Sequence, residues 1–220
     1  MTPTLDILDI GSGCGDSTAC LSKYEPRTLT GVTGEDQQSE VSRQRFPHVT
    51  FIHADAVRYV KKLESESVDR VFALDCAYHF SSRQRFQKEV ARALRHDGKL
   101  VMTDLILADN VTPLDRIYMR IICSLTGSPF SNFTTLSAYH QHLRDVGFHD
   151  VQIEDISKDT FPGLERFIKR HDLEMGRYGI TLAWGKWNGY LAFGRILKWW
   201  STGVVKFIVI TAGKGQEKKQ

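Results

Sequence analysis

Short apolar runs alternate with helical patterns along the chain. The runs are rich in Val, Ile, Leu and Phe and are nearly continuous, which is typical of strands buried on both faces of a sheet. They predict seven strands: Leu5–Ile10, Thr28–Thr33, Val49–Ala54, Val68–Leu74, Lys99–Leu107, Val151–Ile156 and Val204–Thr211. Strands that alternate with helices join through right-handed crossovers. The pattern therefore predicts an α/β fold with a doubly wound, mostly parallel seven-stranded sheet.

Apolar residues at helical spacing predict the helices between the strands. The clearest helix is Gln84–Arg95, which ends before Asp97 and Gly98. A second helix, Leu136–Val146, leads through Gly147 into the sixth strand. Both helices carry one apolar face, so we expect them to pack on the sheet.

Two stretches do not fit the alternation of strands and helices. We interpret residues 108–133 and 158–203 as helical cap insertions over the ligand-binding edge of the sheet, within a single domain that spans residues 1–220. The polar residues 213–220 are expected to form a disordered tail.

Composition and charge narrow the class of protein. The 220 residues are 41% hydrophobic and 25% charged, which is ordinary for a globular chain. The net charge of +3 is too small to indicate a nucleic-acid-binding surface, so no nucleic-acid partner is expected. The four cysteines form no C-x-x-C pair and indicate reduced thiols, which favours a cytoplasmic protein.

A glycine-rich loop follows the first predicted strand, where a doubly wound sheet leaves a ligand crevice. Glycines there permit positive φ angles and close approach of the backbone to a ligand. The dinucleotide fingerprint requires glycine where Asp16 stands, and a carboxylate there would repel a pyrophosphate. The sequence therefore argues against a nicotinamide-dependent oxidoreductase. The Walker phosphate-binding pattern is also absent, since no Gly-Lys-Ser/Thr follows the loop. The alternative to a ligand-binding loop is a glycine-rich turn that binds nothing.

The acid-x-Gly-x-Gly-x-Gly pattern resembles motif I of the class I S-adenosylmethionine-dependent methyltransferases. The resemblance implies a Rossmann-like methyltransferase fold and S-adenosyl-L-methionine as the cofactor. It implies that Asp9 helps to hold the cationic methionine end of the cofactor. The loop residues that would admit the cofactor are Gly11, Ser12, Gly13 and Gly15.

The second strand ends in a motif that resembles one subgroup of this class. In sterol C24-methyltransferases, cyclopropane-fatty-acid synthases and their small-molecule relatives, a Thr and a Gln five residues later replace the usual acid at the ribose. Thr33 and Gln38 have that spacing, which implies that Gln38 recognises the ribose. Glu35 stays open as a competing ribose ligand.

The third strand ends in His53-Ala54-Asp55-Ala56, which resembles the adenine clamp of the family. The resemblance implies that Asp55 accepts from the exocyclic amine and that the N–H of Ala56 meets a ring nitrogen. Asp55 is also a natural N-cap for the next helix, and the two roles are compatible.

The fourth strand ends in Asp75 and is followed by Tyr78 and His79. An acid followed four residues later by His resembles the sterol and phosphoethanolamine methyltransferases, and in the latter the matching His acts as a base. The resemblance implies that Asp75 touches the methionyl part of the cofactor. It makes His79 the candidate base, with Tyr78 beside it, because imidazole titrates near neutrality. A His packed at the strand end and bonded to backbone is the alternative.

The caps are expected to hold a small-molecule acceptor that is apolar or lipid-like. The second cap is rich in aromatic side chains, which either pack the cap or line an acceptor pocket; they are Phe161, Phe167, Tyr178, Trp184, Trp187, Tyr190, Phe193, Trp199 and Trp200. Trp and Lys mixed along helices also suit a peripheral membrane contact through the 158–203 cap.

No metal is expected, because His140 and His142 point to different faces of a helix and cannot form a ligand pair. We predict a methyltransferase that transfers a methyl group in line to a small molecule. Relatives in the subgroup carry helices before the first strand that close over the cofactor, whereas the strand here begins almost at Met1. The alternative is therefore a catalytically weak S-adenosylmethionine-binding module, or a truncated form without that lid.

Overall fold

The computed structural model of the chain describes residues 5–179 and 184–215, with the backbone alone at 176 and 184–191. Strands within these residues are β1 (Asp6–Ile10), β2 (Thr28–Thr33), β3 (Thr50–His53), β4 (Val68–Leu74), β5 (Leu94–Leu107), β6 (Phe148–Asp155) and β7 (Val205–Lys214). The helices are α1 (Asp16–Ser22), α2 (Asp36–Arg45), α3 (Ala56–Lys62), α4 (Arg83–Ala93), α5 (Pro113–Thr126), α6 (Leu136–Asp145), α7 (Ser157–Arg177) and α8 (Trp184–Trp199).

The strands form one sheet in the order β3-β2-β1-β4-β5-β7-β6. The first five strands pair in parallel, and β7 runs antiparallel between β5 and β6. This confirms the predicted doubly wound, mostly parallel sheet. The chain leaves β1 towards β2 and returns on the other side at β4, so the carboxyl ends of β1 and β4 border the crevice where such sheets bind ligands.

Two hydrophobic clusters hold the elements together. The larger cluster lies between the sheet and the helices and includes the fully buried Ile10, Phe86 and Leu100. The smaller cluster joins the end of the sheet to the caps and includes Met119 and Phe161. Each fully buried side chain of this size contributes about 1.5–3 kcal/mol relative to an exposed one, so the second cluster fixes the caps on the sheet.

Each cap segment contains helices within the residues that the structure describes. Residues 108–133 contain α5, which begins with a capping box between Thr112 and Asp115 and ends at Gly127 in the left-handed conformation (φ 70°). Residues 158–203 contain most of α7 and all of α8, followed by a π-helical turn at Trp200–Val204. Among the helices of the described segments, none combines the length and apolarity that a membrane span requires.

Several boundaries differ from the sequence-based expectation, among them the start of β6 at Phe148 instead of Val151, and strand pairing explains two of the differences. The helix predicted to reach Arg95 ends at Ala93, because Leu94 is fully buried and pairs with Val68 at the start of β5. At the other end, β7 continues through Lys214 into the predicted tail, and residues 216–220 lie outside the described residues. In both places a pairing with a neighbouring strand prevails over the local sequence pattern.

Candidate active site

The glycine loop between β1 and α1 is fixed by the neighbouring strand. The N–H groups of Gly11 and Ser12 both donate to the carbonyl of Val32 on β2, at 2.7 and 3.0 Å. Gly11, Gly13 and Gly15 all have positive φ angles, of 77°, 53° and 92°. Backbone of this kind strains any residue with a Cβ, so the loop depends on its glycines.

The glycines differ in what a side chain would meet. A Cβ at Gly11 would overlap Cys76 Sγ, and one at Gly15 would lie 2.8 Å from Phe51 Cζ. A Cβ at Gly13 would meet no atom within 4 Å. The protein itself therefore excludes side chains at two positions, whereas at Gly13 it leaves an open space that a ligand can occupy.

Ser12 supplies a second sign of a polar ligand. Its side chain is buried, with 5% exposed, and its Oγ has no hydrogen-bond partner among the described residues. A buried polar atom without a partner costs about 1–3 kcal/mol. A bound molecule with polar groups in this loop would satisfy the hydroxyl.

Asp9 connects the end of β1 to α1. It is buried, and its Oδ2 accepts hydrogen bonds from the hydroxyls of Ser17 and Thr18, both at 2.7 Å. Burial raises the pKa of the Asp9 carboxyl. Asp16, which stands where a dinucleotide site needs glycine, opens α1 and pairs with Arg45 at 2.6 Å.

The ends of β2 and β3 lie at the same edge of the sheet as this loop. Thr33 is buried and donates its hydroxyl proton to Gln38 Oε1 at 2.8 Å, which leaves the amide NH₂ of Gln38 as a donor. Glu35 is exposed beside them. Asp55 accepts from the N–H of Arg58 at 2.8 Å, so the N-cap role is realised, and Ala56 is buried behind it.

Asp75 occupies a strained position at the end of β4. Its φ of 54° lies in the left-handed region, and its N–H donates to Thr103 Oγ1 at 2.8 Å. Tyr78 donates its phenolic proton to Asp75 Oδ1 at 3.0 Å. Burial raises the pKa of Asp75 and raises that of Tyr78 well above its usual range, so Tyr78 is a neutral donor at physiological pH.

His79 lies one residue further, in a short 3-10 turn at Ala77–His79. Its Nδ1 is 2.9 Å from Ser128 Oγ, and its ring centroid is 4.3 Å from that of Tyr78. Burial lowers the pKa of His79, and the charge of Asp75 opposes that shift. Its imidazole is therefore neutral near pH 7 and able to accept a proton.

A cavity of about 280 Å³ lies between the end of the sheet and the caps. Asp75, Tyr78 and His79 line one part of it. Most of the remaining wall is apolar and comes from β5, β7, the three cap helices and the turns that follow α5 and α8; it includes Leu105, Ile122, Phe133, Phe161, Leu164, Phe193, Ile196, Leu197, Trp200 and Phe207. A cavity of this kind suits a small apolar molecule that carries few polar groups.

The cavity and the glycine loop meet at β4. Asp75 lines the cavity, and the next residue, Cys76, donates its S–H to the carbonyl of Ile10 at 3.2 Å and lies against Gly11. The Asp75–Cys76 segment therefore borders both the loop and the cavity, and molecules bound in the two places would lie next to each other there. This is the arrangement that a group transfer between two bound molecules requires.

Comparisons with known proteins agree with this arrangement. Residues 8–102 match the family described as "Methyltransferase domain". The chain is 24% identical to methyltransferase GfsG of Streptomyces halstedii, over 94% of this chain and 73% of that protein. It is 27% identical to 27-O-demethylrifamycin SV methyltransferase of Amycolatopsis mediterranei, over 80% of this chain and 69% of that protein.

A solved structure extends the likeness to the caps. Phosphoethanolamine N-methyltransferase 2 of Haemonchus contortus, in complex with phosphomonomethylethanolamine and S-adenosylhomocysteine, superposes with a TM-score of 0.80 at 20% identity. The match covers 98% of this chain and half of that chain. These likenesses support a class I S-adenosylmethionine-dependent methyltransferase, and the family match extends over residues 8–102.

The cofactor of this class fits the methyltransferase's loop. S-adenosyl-L-methionine has a ribose and polar methionyl groups that can pair with Ser12 Oγ and the amide of Gln38, and the open space at Gly13 admits it. Within the described residues no group of His, Cys, Asp and Glu is arranged to hold a metal ion.

The aromatic residues of the second cap have different environments in this methyltransferase. Phe161, Phe193 and Trp200 line the cavity, whereas Phe167 and Tyr178 are exposed. Trp199 borders a groove next to Tyr118 on α5. The side chains of Trp184, Trp187 and Tyr190 lie outside the described residues.

Sequence reasoning missed the residues that fix the Tyr78–His79 segment. Asn132 is buried, and its amide donates to the carbonyls of Tyr78 and Phe80, at 3.1 and 2.7 Å. Its carbonyl accepts from the N–H of Arg83 at 3.0 Å. Asn132 is about 50 residues away from these partners, so no local pattern indicates the contact.

Proposed function

We propose that this methyltransferase methylates a small, apolar or lipid-like molecule held in the cavity, with His79 as the general base. The observation that carries the proposal is the group of Asp75, Tyr78 and His79 in an otherwise apolar wall, next to the glycine loop. S-adenosyl-L-methionine, when bound, supplies an activated methyl group for in-line displacement. Asp9, Gln38, Asp55 and the glycine loop would hold it.

The chain's own residues supply alignment and a proton acceptor. The cavity holds the acceptor molecule against the polar group, and alignment of this kind can supply about 7–11 kcal/mol of a reaction barrier. As the acceptor hydroxyl or amine gains the methyl group, His79 takes the proton that it loses and becomes imidazolium. Tyr78, a neutral donor bonded to Asp75, keeps this carboxylate oriented beside the reacting atoms.

Substitution of His79 tests its role. We expect His79→Ala to lower kcat by about 10²–10⁴-fold, the usual contribution of a general base, without changing the affinity for S-adenosylhomocysteine. His140→Ala, on α6, is the matched control and should keep the wild-type rate. The measurements are methyl transfer from labelled S-adenosylmethionine to a panel of apolar alcohols and amines, and calorimetry with S-adenosylhomocysteine.

Two results would contradict the proposal. A wild-type rate in His79→Ala would show that the imidazole only packs at the strand end. Tight binding of S-adenosylhomocysteine with no methylation of any acceptor in the panel would instead favour the catalytically weak binding module.

We also propose that the cap helices contact an anionic membrane surface, from which a lipid-like acceptor would enter. On α5, five large apolar side chains are 50–82% exposed and recur at helical spacing: Leu114, Ile117, Tyr118, Ile121 and Leu125. The helices α5, α7 and α8 together carry ten Lys and Arg against five Asp and Glu, whereas the whole chain has a net charge of only +3. Apolar side chains beside an excess of basic ones are characteristic of interfacial helices.

Vesicle binding tests the membrane contact. The protein should sediment with vesicles of phosphatidylcholine and phosphatidylglycerol and less with phosphatidylcholine alone, because about 1 kcal/mol per basic residue comes from anionic lipid. Ile121→Asp should abolish sedimentation, whereas Tyr24→Asp, an exposed aromatic outside the caps, should not. The absence of sedimentation would contradict the membrane contact, and a concentration-dependent dimer that Ile121→Asp disrupts would show that a second copy of the chain covers α5.

A further inference from the structure

A groove on the surface lies next to the cavity. It runs between α5 and α8, has a volume of about 270 Å³, and is lined by Tyr118, Ile122, Arg195, Ile196 and Trp199. The cavity has about the same volume, 280 Å³. Among the described residues, Ile122 and Ile196 are the ones that line both spaces. The cavity and the groove therefore meet at these two side chains.

The two isoleucines form a wall with a space on either side. Both side chains are half-buried and pack against the smaller hydrophobic cluster. Their neighbours line one space each, because Leu197 borders the cavity and Trp199 borders the groove. Elsewhere the cavity is backed by the sheet, as at Leu105 on β5. A shorter side chain at Ile122 or Ile196 would therefore extend the cavity into the groove, whereas one at Leu105 would meet the sheet.

Contacts between the cap helices hold this wall in place. Tyr118 on α5 and Trp199 on α8 pack edge to face, with their ring centroids 6.1 Å apart. Gly194 of α8 lies against α7, where a Cβ would be 3.3 Å from Ile168 Cγ2. The helix that carries Ile196 is thus packed against both other cap helices. The position of the wall is therefore part of the folded cap, and its two side chains fix the extent of the cavity on this side.

We propose that Ile122 and Ile196 are specificity-determining residues that limit the length of the apolar part of the acceptor. Pockets for drug-sized ligands usually measure roughly 300–1,000 Å³. The cavity alone lies just below this range, and the cavity joined to the groove would lie within it. The wild-type protein thus takes a short apolar molecule whose reacting group meets Asp75, Tyr78 and His79. The inference rests on the proposed function, in which the cavity holds the acceptor.

Binding of straight-chain primary alcohols tests this limit without any methyl transfer. Burial of each further methylene tightens binding by about fourfold. In calorimetry with alcohols from butanol to dodecanol, the affinity of the wild-type protein should rise by this factor and level off before dodecanol. In the double variant Ile122→Ala with Ile196→Ala, the rise should continue for at least two more methylenes. The ratio of its affinities for dodecanol and octanol should therefore exceed the wild-type ratio by at least about 16-fold.

Two further variants control for a loosened cap. Ile168→Ala makes the same truncation in the same cluster, at a side chain that lines neither space, and should keep the wild-type ratio of affinities. Ile122→Val with Ile196→Val removes one methyl group from each side chain and should raise the ratio by a smaller factor. Thermal unfolding shows which variants are folded, and the valine pair replaces the alanine pair if the latter does not fold.

The end of the alcohol chain can be followed at Trp199, which lines the groove and not the cavity. In ¹H–¹⁵N spectra of the alanine pair, dodecanol should shift the indole N–H signal of Trp199, and octanol should not. In the wild-type protein neither alcohol should shift this signal, because the wall separates the chain from the groove. Trp199→Phe assigns the signal.

The failure of this inference is distinguishable from the failure of the proposed function. An affinity that rises through dodecanol in the wild-type protein would overturn the inference, as would a wild-type ratio in the alanine pair or an equal increase in Ile168→Ala. A shift of the Trp199 signal by dodecanol in the wild-type protein would overturn it too. Each of these results leaves the cavity as a site for apolar molecules. A wild-type protein that binds no alcohol of any length would instead contradict the proposed function, and this inference with it.

Discussion

At the scale of single residues, the three glycines of one loop serve two purposes. Gly11 and Gly15 make room for the protein's own Cys76 and Phe51, whereas Gly13 leaves an open space. All three positive φ angles favour glycine. Of the three, Gly13 is the one at which a side chain would meet no protein atom, so a side chain there would collide with a bound ligand and not with the protein. A substitution there is therefore the sharpest test of the cofactor site.

We expect Gly13→Val to weaken the binding of S-adenosylhomocysteine by at least about 100-fold, or about 2.7 kcal/mol, because the branched side chain would fill the ligand's space. Gly147→Val is the matched control: Gly147 also has a positive φ, of 99°, and open space around it, but it lies in the turn before β6. Both variants should lose about 1–3 kcal/mol of stability to backbone strain. If calorimetry gave Gly13→Val the same affinity for S-adenosylhomocysteine as Gly147→Val, the assignment of the glycine loop to the cofactor site would be wrong.

The titration of His79 is a second prediction at this scale. Burial lowers the pKa of His79, so the imidazole should remain neutral down to a pH below its ordinary value near 6.5. Asp75 opposes the shift by stabilising the cation, so Asp75→Asn should move the midpoint to still lower pH. An NMR titration of the His79 ring measures both values. A midpoint that rises in Asp75→Asn would show that the carboxylate is not the opposing charge.

At the scale of elements, a buried ion pair joins α4 to β5 beneath the candidate base. Arg83 Nη1 lies 3.0 Å from Asp104 Oδ2, and both side chains are almost fully buried. Tyr139 of α6 donates to the same oxygen at 3.0 Å, and its ring lies under the guanidinium. The pair thus fixes the helix that begins just after His79 against the sheet.

We expect Arg83→Met to destabilise the protein by about 3–5 kcal/mol, because it leaves the Asp104 carboxylate buried without its partner. Arg85→Met, an exposed arginine on the same helix, should change the free energy of unfolding by no more than about 0.5 kcal/mol. The double variant Arg83→Met with Asp104→Leu removes both charges and should recover part of the loss. Urea unfolding measures the stability of all three variants. An Arg83→Met variant as stable as the wild type would contradict the stabilising role of the pair.

At the scale of the whole molecule, the sheet order brings the functional residues together. Asp9, Thr33, Asp55 and Asp75 follow or end four different strands, and these strands are neighbours in the order β3-β2-β1-β4. The caps close the other side of Asp75 and create the cavity. A ligand at this edge would touch four strands at once and should stabilise the entire fold.

S-adenosylhomocysteine at 100 times its dissociation constant should therefore add about 2.7 kcal/mol to the stability. For a chain of this size that corresponds to a rise of about 5–10 °C in the unfolding temperature. NAD⁺ at the same concentration should have no effect, because Asp16, which pairs with Arg45, stands at the position of the third fingerprint glycine. A rise with NAD⁺ and none with S-adenosylhomocysteine in thermal unfolding would contradict the choice of ligand.

The sequence alone determined the elements and the motifs at their ends. Buried parallel strands require continuous apolar runs, and β2 and β4 fall where those runs predict them. The glycine loop and the residues after β2, β3 and β4 were recognisable because each motif is local and its spacing is set by one turn. The class of protein followed from their order along the chain.

Only the tertiary structure decided how the candidate base is held. Ser128 and Asn132 are about 50 residues from His79 in sequence and reach it through the packing of α5 on the sheet. The partners of Leu94, Gly213 and Lys214 were likewise set by strand pairing that no local pattern encodes. Contacts between distant segments depend on how whole elements pack, and a hydroxyl or an amide carries no local signal of the partner that it will find.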